Sequence, residues 1–185
     1  MKITDIQTYH AHDGARNSVF LHMFTDGGVT GVGMPYSIGP DEAILGAIEN
    51  MKPWFIGQDP SRIEWLLRRA KNTMRFPLGQ AAWSAISGLD HALWDIAGKV
   101  AELPIYKLFG GPTRDRVRVY HGLRGSTPDD CAREATELMA LGYTAFKMSP
   151  FRRGWSESPW PEVVNHARER TMAVRDAVGV GPEIA

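Results

Sequence analysis

Cysteine is nearly absent: Cys131 is the one cysteine among 185 residues. No intrachain disulfide can form, and a reducing compartment is the default expectation. An excess charge is missing too, because 21 Lys and Arg balance 21 Asp and Glu. With no long basic run, nothing resembles the electrostatic footprint of a nucleic-acid partner. No stretch approaches the ~18 apolar residues of a membrane span. The opening Met1-Lys2-Ile3-Thr4-Asp5 lacks the apolar core of a signal peptide. The expectation is a cytoplasmic protein with no membrane partner. The six histidines show no metal-ligand spacing such as H-E-x-x-H, and none is assigned to a metal. Neither Gly31-Val32-Gly33 nor Gly110-Gly111 has the spacing of a phosphate loop.

What is present is patterned. Ile3, Ile6 and Tyr9 sit in a β-prone segment, Val19 to Phe24 in a second, and Val29 to Met34 in a third. Asp26-Gly27-Gly28 is a hairpin turn, since these residues tolerate positive φ. Gly31 and Gly33 within the third strand suggest a bulge or a close backbone approach. Helices follow from Pro40-Asp41-Glu42, with Ile44, Leu45 and Ile48 as a stripe, and from Asp59-Pro60, with Ile63, Leu66 and Leu67 inward. Ala82, Ile86, Leu89, Leu93, Ile96 and Val100 recur at helical spacing and predict one long helix that ends at Leu103-Pro104. The second part alternates. A strand over Val117 to Tyr120 precedes a helix capped by Thr127-Pro128 and stopped at Gly142. A strand over Tyr143 to Ser149 precedes a helix from Trp160 to Val178, and Ile184 begins a third strand. Such βα units predict a parallel sheet.

The run Gly88-Leu89-Asp90-His91-Ala92-Leu93-Trp94-Asp95 continues through Leu103-Pro104-Ile105 and Gly110-Gly111 to Val117-Arg118-Val119-Tyr120. With the Thr25-Asp26-Gly27-Gly28 turn, it resembles the mandelate racemase/muconate lactonizing branch of the enolase superfamily. The resemblance implies an α+β capping domain over residues 1–111. Residues 112–185 would then be the first two βα units and the start of the third strand of an incomplete (β/α) TIM-type barrel, since a full barrel needs ~250 residues.

The candidate site follows from that frame, because barrel active sites sit at the C-terminal ends of strands. Alternation puts Ala145, Lys147 and Ser149 on one face of their strand and Thr144, Phe146 and Met148 on the other. Lys147 can neutralise a substrate carboxylate, or act as a base if desolvated; otherwise it caps a strand end in solvent. Many relatives carry Lys-x-Lys here, the second lysine being a base. This chain has Lys147-Met148-Ser149, and serine is a poor base without a partner. That departure argues against a two-base racemase and leaves room for a dehydratase, in which a later histidine usually serves. In the next loop Arg152 and Arg153 could clamp a carboxylate and Trp155 could wall the pocket; a solvated charged loop is the alternative. His12, Asp13 and Arg16 fall in a loop that in relatives closes over substrate, though it can equally just join two strands. His91 reads as packed or capping, Asp90, Asp95 and Cys131 as structural, and the helix tryptophans Trp54, Trp65, Trp83 and Trp94 as core or interface.

The resemblance implies a Mg²⁺-dependent enzyme that removes the proton α to a carboxylate, the metal offsetting charge on the intermediate. Its Mg²⁺ ligands are expected beyond residue 185. Dehydration of a sugar acid such as an aldonate fits best; racemisation or epimerisation and cycloisomerisation are the alternatives. Relatives are often homo-oligomers. A reading from another class is a noncatalytic fragment lacking the metal site, its open parallel sheet exposing edges that invite self-association.

Overall fold

A computed structural model describes residues 1–14, 16–37, 39, 41–73, 78–151 and 154–185. The chain divides into two compact units, Met1–Thr113 and Arg114–Ala185.

The first unit opens with an antiparallel meander of β1 (Ile3–His12), β2 (Asn17–Thr25) and β3 (Gly31–Gly33), in the order β1-β2-β3. Val19, Leu21 and Met23 alternate inward along β2. Ile3 and Ile6 are three apart, yet both are buried. A register shift between Ile3 and Asp5 returns the strand to the same face, as a bulge does.

Helices α1 (Asp41–Phe55), α2 (Ile63–Asn72), α3 (Gln80–Ala101) and the short α4 (Ile105–Leu108) follow. Helix α2 begins three residues beyond Asp59-Pro60. Asp59 instead forms a turn, its Oδ1 accepting from Ser61 N–H at 2.9 Å. The central residues of the α3 stripe, Ile86, Leu89, Leu93 and Ile96, are buried, but Val100 is 56% exposed. The helix stops before Pro104: Glu102 takes a left-handed φ of 54°, and its N–H returns to the Gly98 and Lys99 carbonyls. One core joins Ile6, Leu21 and Met23 to Ile48, Phe55, Leu66 and the α3 stripe.

In the second unit β4 (His121–Gly122), β5 (Ala145–Lys147) and β6 (Glu183–Ile184) form a parallel sheet in that order. Helix α5 (Pro128–Ala140) links the first pair and α6 (Trp160–Val178) the second. The strand expected at Val117 to Tyr120 is displaced to His121–Gly122. Val117, Val119 and Tyr120 are at least 60% exposed. The segment is held by a side chain instead: the Arg118 guanidinium donates to the Thr144 carbonyl at 3.0 Å and pairs with Glu183 at 2.7 Å. The strand expected from Tyr143 to Ser149 is likewise shorter, and Ser149 lies just past its end.

Thr127 caps α5 through a reciprocal pair with Asp130, and Gly142 (φ 95°) and Gly179 (φ 70°) follow the two helix ends. A second core packs Phe146 and Met148 of the sheet against Cys131, Ala135, Leu138, Val174 and Val178.

Candidate active site

Lys147 is the last residue of β5, and the alternation along that segment holds. Phe146 and Met148 are buried against the helices while Lys147 and Ser149 are exposed. Main-chain bonds fix the edge they stand on. Leu123 N–H donates to the Lys147 carbonyl at 2.8 Å, and Met148 N–H donates to the Ala185 carbonyl at 2.8 Å. The C-terminal ends of the three strands are thereby aligned. The Ser149 hydroxyl donates to the Phe151 carbonyl at 3.5 Å, and among the described residues it has no basic partner. Trp155 opens a one-turn 3-10 helix, Trp155–Glu157, in the loop after β5. Its ring centroid lies 5.4 Å from that of Phe151 and 6.4 Å from that of Trp160, so three partly exposed aromatics cluster there. Arg152 and Arg153, expected in the same loop, lie outside the described residues.

His12 and Arg16 belong to the first unit, at the β1–β2 connection. His12 ends β1 opposite Asn17, and its Nδ1 accepts from Gly14 N–H at 3.0 Å. Arg16 N–H donates to Asp13 Oδ1 at 2.8 Å, and the Arg16 side chain is 80% exposed. The loop is anchored from below. His10 Nε2 lies 3.0 Å from Asp41 Oδ2, and Ser37 donates to the other carboxylate oxygen. Asp41 is buried, and the Ser37 hydroxyl, with His10 and Asn17, holds its carboxyl below the ordinary value against the opposing effect of burial.

Asp90, His91, Trp94 and Asp95, read from the sequence as structural, line a hollow of about 400 Å³ with Val32, Ile105 and Phe109. His91 is exposed rather than packed. Burial pushes the Asp90 carboxyl up. Asp95 is committed to structure: Oδ2 accepts from Val32 N–H at 2.8 Å and from Lys99 Nζ at 2.7 Å. Trp65 and Trp83 are exposed, at 40% and 48%, and so lie outside the core; Arg62 stacks on Trp65 at 4.1 Å. Cys131 is buried, its Sγ donating to the Gly125 carbonyl at 3.1 Å. Among the described residues no group of three or more His, Cys, Asp or Glu could hold a metal ion.

Two residues at this site escaped sequence reasoning. Glu134 of α5 accepts from the N–H groups of Arg124 and Gly125 at 2.7 and 2.9 Å, fixing the loop after β4. Arg170 of α6 is 6% exposed and reaches both strand-end loops. A signal existed for Arg170, because it occupies a position on the stripe formed by Val163, Val174 and Val178.

The meander and helices of the first unit match a known family model over residues 4–110: the N-terminal domain of mandelate racemase and muconate lactonizing enzyme. The chain belongs to this family. It is 38% identical over 149 residues to a D-galactonate dehydratase of Xanthomonas oryzae pv. oryzae, an alignment covering 80% of this chain and 38% of that protein. An enolase structure from Agrobacterium radiobacter, with bound sodium and L-malate, matches the whole chain at 38% identity and TM-score 0.86, over 47% of its own length. An enolase from Pantoea ananatis with bound D-gluconate and magnesium matches 99% of the chain at 25% identity and TM-score 0.86, over 52% of its length. The chain thus spans about half or less of the length of these relatives. No helix among the described residues is long and apolar enough to cross a membrane.

Proposed function

We propose that this chain forms the capping domain and first βα units of an enzyme that dehydrates a sugar acid of the aldonate type by removing the proton α to its carboxylate. The observation that carries the reading is the 38% identity to a D-galactonate dehydratase across both units of the chain. Lys147 supports it: an exposed ammonium at the C-terminal end of a parallel strand suits a substrate carboxylate. Ser149 stands where a second lysine would serve a two-base racemase, and its hydroxyl is engaged with a main-chain carbonyl. The family resemblance assigns substrate contact to Trp155, Arg152 and Arg153 of the loop after β5 and, in the first unit, to His12 and Arg16 of the β1–β2 connection.

Magnesium supplies charge stabilisation to α-proton abstraction when bound. The described residues do not fit a Mg²⁺ donor set, and the proposal assigns that ion no ligand in this chain. The setting is the cytoplasm, in a homo-oligomer. The test is a screen of aldonates and aldarates with Mg²⁺, read as the 2-keto-3-deoxy product. Formation of that product from D-galactonate or another aldonate is the expected result. Epimerised or racemised acid without loss of water would overturn the reading.

A further inference from the structure

A charged residue on an apolar stripe, Arg170, is satisfied in an unusual way. Its Nη1 donates to the Ser149 carbonyl at 3.1 Å and approaches the Pro150 and Phe151 carbonyls at 3.4 Å. Its Nη2 donates to the Gly125 carbonyl at 2.5 Å and meets Cys131 Sγ at 3.2 Å. Every acceptor is neutral. None of the ion pairs among the described residues includes Arg170, and Nε finds no partner among them. Burying an unpaired guanidinium is costly. A valine in its place would continue the stripe without that cost, so packing alone does not account for arginine.

What arginine adds is a rigid fork. One nitrogen holds the loop after β5 and the other the loop after β4, which a single-centred lysine ammonium cannot do at once. Both loops leave the strand ends beside Lys147. The β4 loop has little room to adjust: a Cβ on Gly125 would lie 2.5 Å from the Cys131 main-chain nitrogen.

We propose that Arg170 is a positioning residue: its guanidinium clamps the loops after β4 and β5 into one unit and thereby fixes the strand-end surface that carries Lys147 and Ser149. The clamp stands on the geometry alone, while its catalytic consequence rests on the dehydratase reading.

The test uses the full-length enzyme with Mg²⁺ and a sugar acid it turns over, comparing wild type with Arg170→Lys and Arg170→Met. Misplaced groups of this kind cost up to about 100-fold in rate. Both variants should stay folded and lose about 10- to 100-fold in kcat, with KM little changed, since the substrate does not touch Arg170. Hydrogen exchange should rise together in peptides covering 122–126 and 148–151 and stay unchanged in α1. A folded Arg170→Lys enzyme with wild-type kcat, or loosening of only one loop, would overturn the proposal. Should the variants fail to fold, wild-type exchange decides: the amides of Gly125 and Met148 must open with one denaturant dependence, and separate openings refute the clamp. If wild type turns over no sugar acid, the dehydratase reading falls, and exchange alone still decides the clamp.

Discussion

Gly33 and Gly88 meet backbone to backbone: a methyl group on Gly33 would overlap the Gly88 carbonyl oxygen. Gly31 meets the Ala92 carbonyl in the same way, so β3 lies directly on α3 one helical turn at a time. A methyl on Gly88 would in turn strike the Pro35 ring, at 2.5 and 2.7 Å. The glycines of β3 are there for this approach and not for a turn, because neither has positive φ.

Gly33→Ala should therefore destabilise the protein by about 1–3 kcal/mol, the cost of overpacking against rigid backbone. Gly46→Ala is the matched control. Gly46 is exposed within α1, and a methyl group there would meet nothing within 4 Å. The change should stabilise by about 0.5–1 kcal/mol through helix propensity. Urea unfolding of the two variants checks both; equal effects would show that β3 does not press on α3.

The same junction is stitched by Asp95 and Lys99. Asp95 holds Val32 N–H, and Lys99 Nζ bridges Asp95 to the Thr30 carbonyl at 2.8 Å. Asp95→Ala should cost about 1 kcal/mol, the typical net worth of such a bond. The coupling between Asp95→Ala and Lys99→Ala, an exposed i,i+4 pair, should be about 0.3–0.5 kcal/mol. A double-mutant cycle by denaturation measures it, and a coupling near zero would leave the Val32 bond as the only contribution.

Acid should weaken the loop anchor. The Asp41 carboxyl is held below its ordinary value near 3.8, chiefly by the Ser37 hydroxyl. Its stabilisation is present above the unfolded value and is lost as pH falls through the lower folded value. Asp41→Asn should thus be less stable than wild type at neutral pH, with the gap closing below about pH 4. Asp90 has the opposite sign. Burial raises its carboxyl, so the charged form is disfavoured in the fold, and Asp90→Asn should raise Tm at pH 7 but not at pH 3. Thermal melts across that range read both signs.

The elements most legible in the sequence are those whose pattern is local. The α3 stripe, the Thr127-Pro128 cap and the alternation of Phe146, Lys147 and Met148 are each written within a few residues. The displaced strand at Val117 to Tyr120 was not legible, because its β-prone residues find no ladder partner and Arg118 anchors them through Thr144 and Glu183 instead. Val100 keeps the helical spacing yet stays exposed, because the buried side of that last turn is Gly98, packed against Leu103 and Ile105. Lys147 and Ser149 could be placed at a strand end from alternation alone. Glu134 could not, because its partners are main-chain N–H groups 9 and 10 residues away; Arg170 was marked by its place on an apolar stripe, but its partners, up to 45 residues away, were not.

Lys147 and Ser149 should separate cleanly in the full-length enzyme. The two share an exposed strand edge, but only Lys147 carries charge. Truncating one partner of a buried charge pair costs about 2–5 kcal/mol, so, with substrate covering the ammonium, Lys147→Met should lower kcat/KM by about 30-fold to several thousand-fold. Lys147→Arg keeps the charge and should recover part of the loss. The Ser149 hydroxyl donates to the Phe151 carbonyl and lacks a basic partner among the described residues. Ser149→Ala therefore removes a bond worth about 1 kcal/mol and should cost less than about tenfold. Steady-state kinetics on a sugar acid distinguish the two. Full activity in Lys147→Met would remove the ammonium from the reaction, and an inactive but folded Ser149→Ala would make the serine, not the lysine, the group on which the strand end acts.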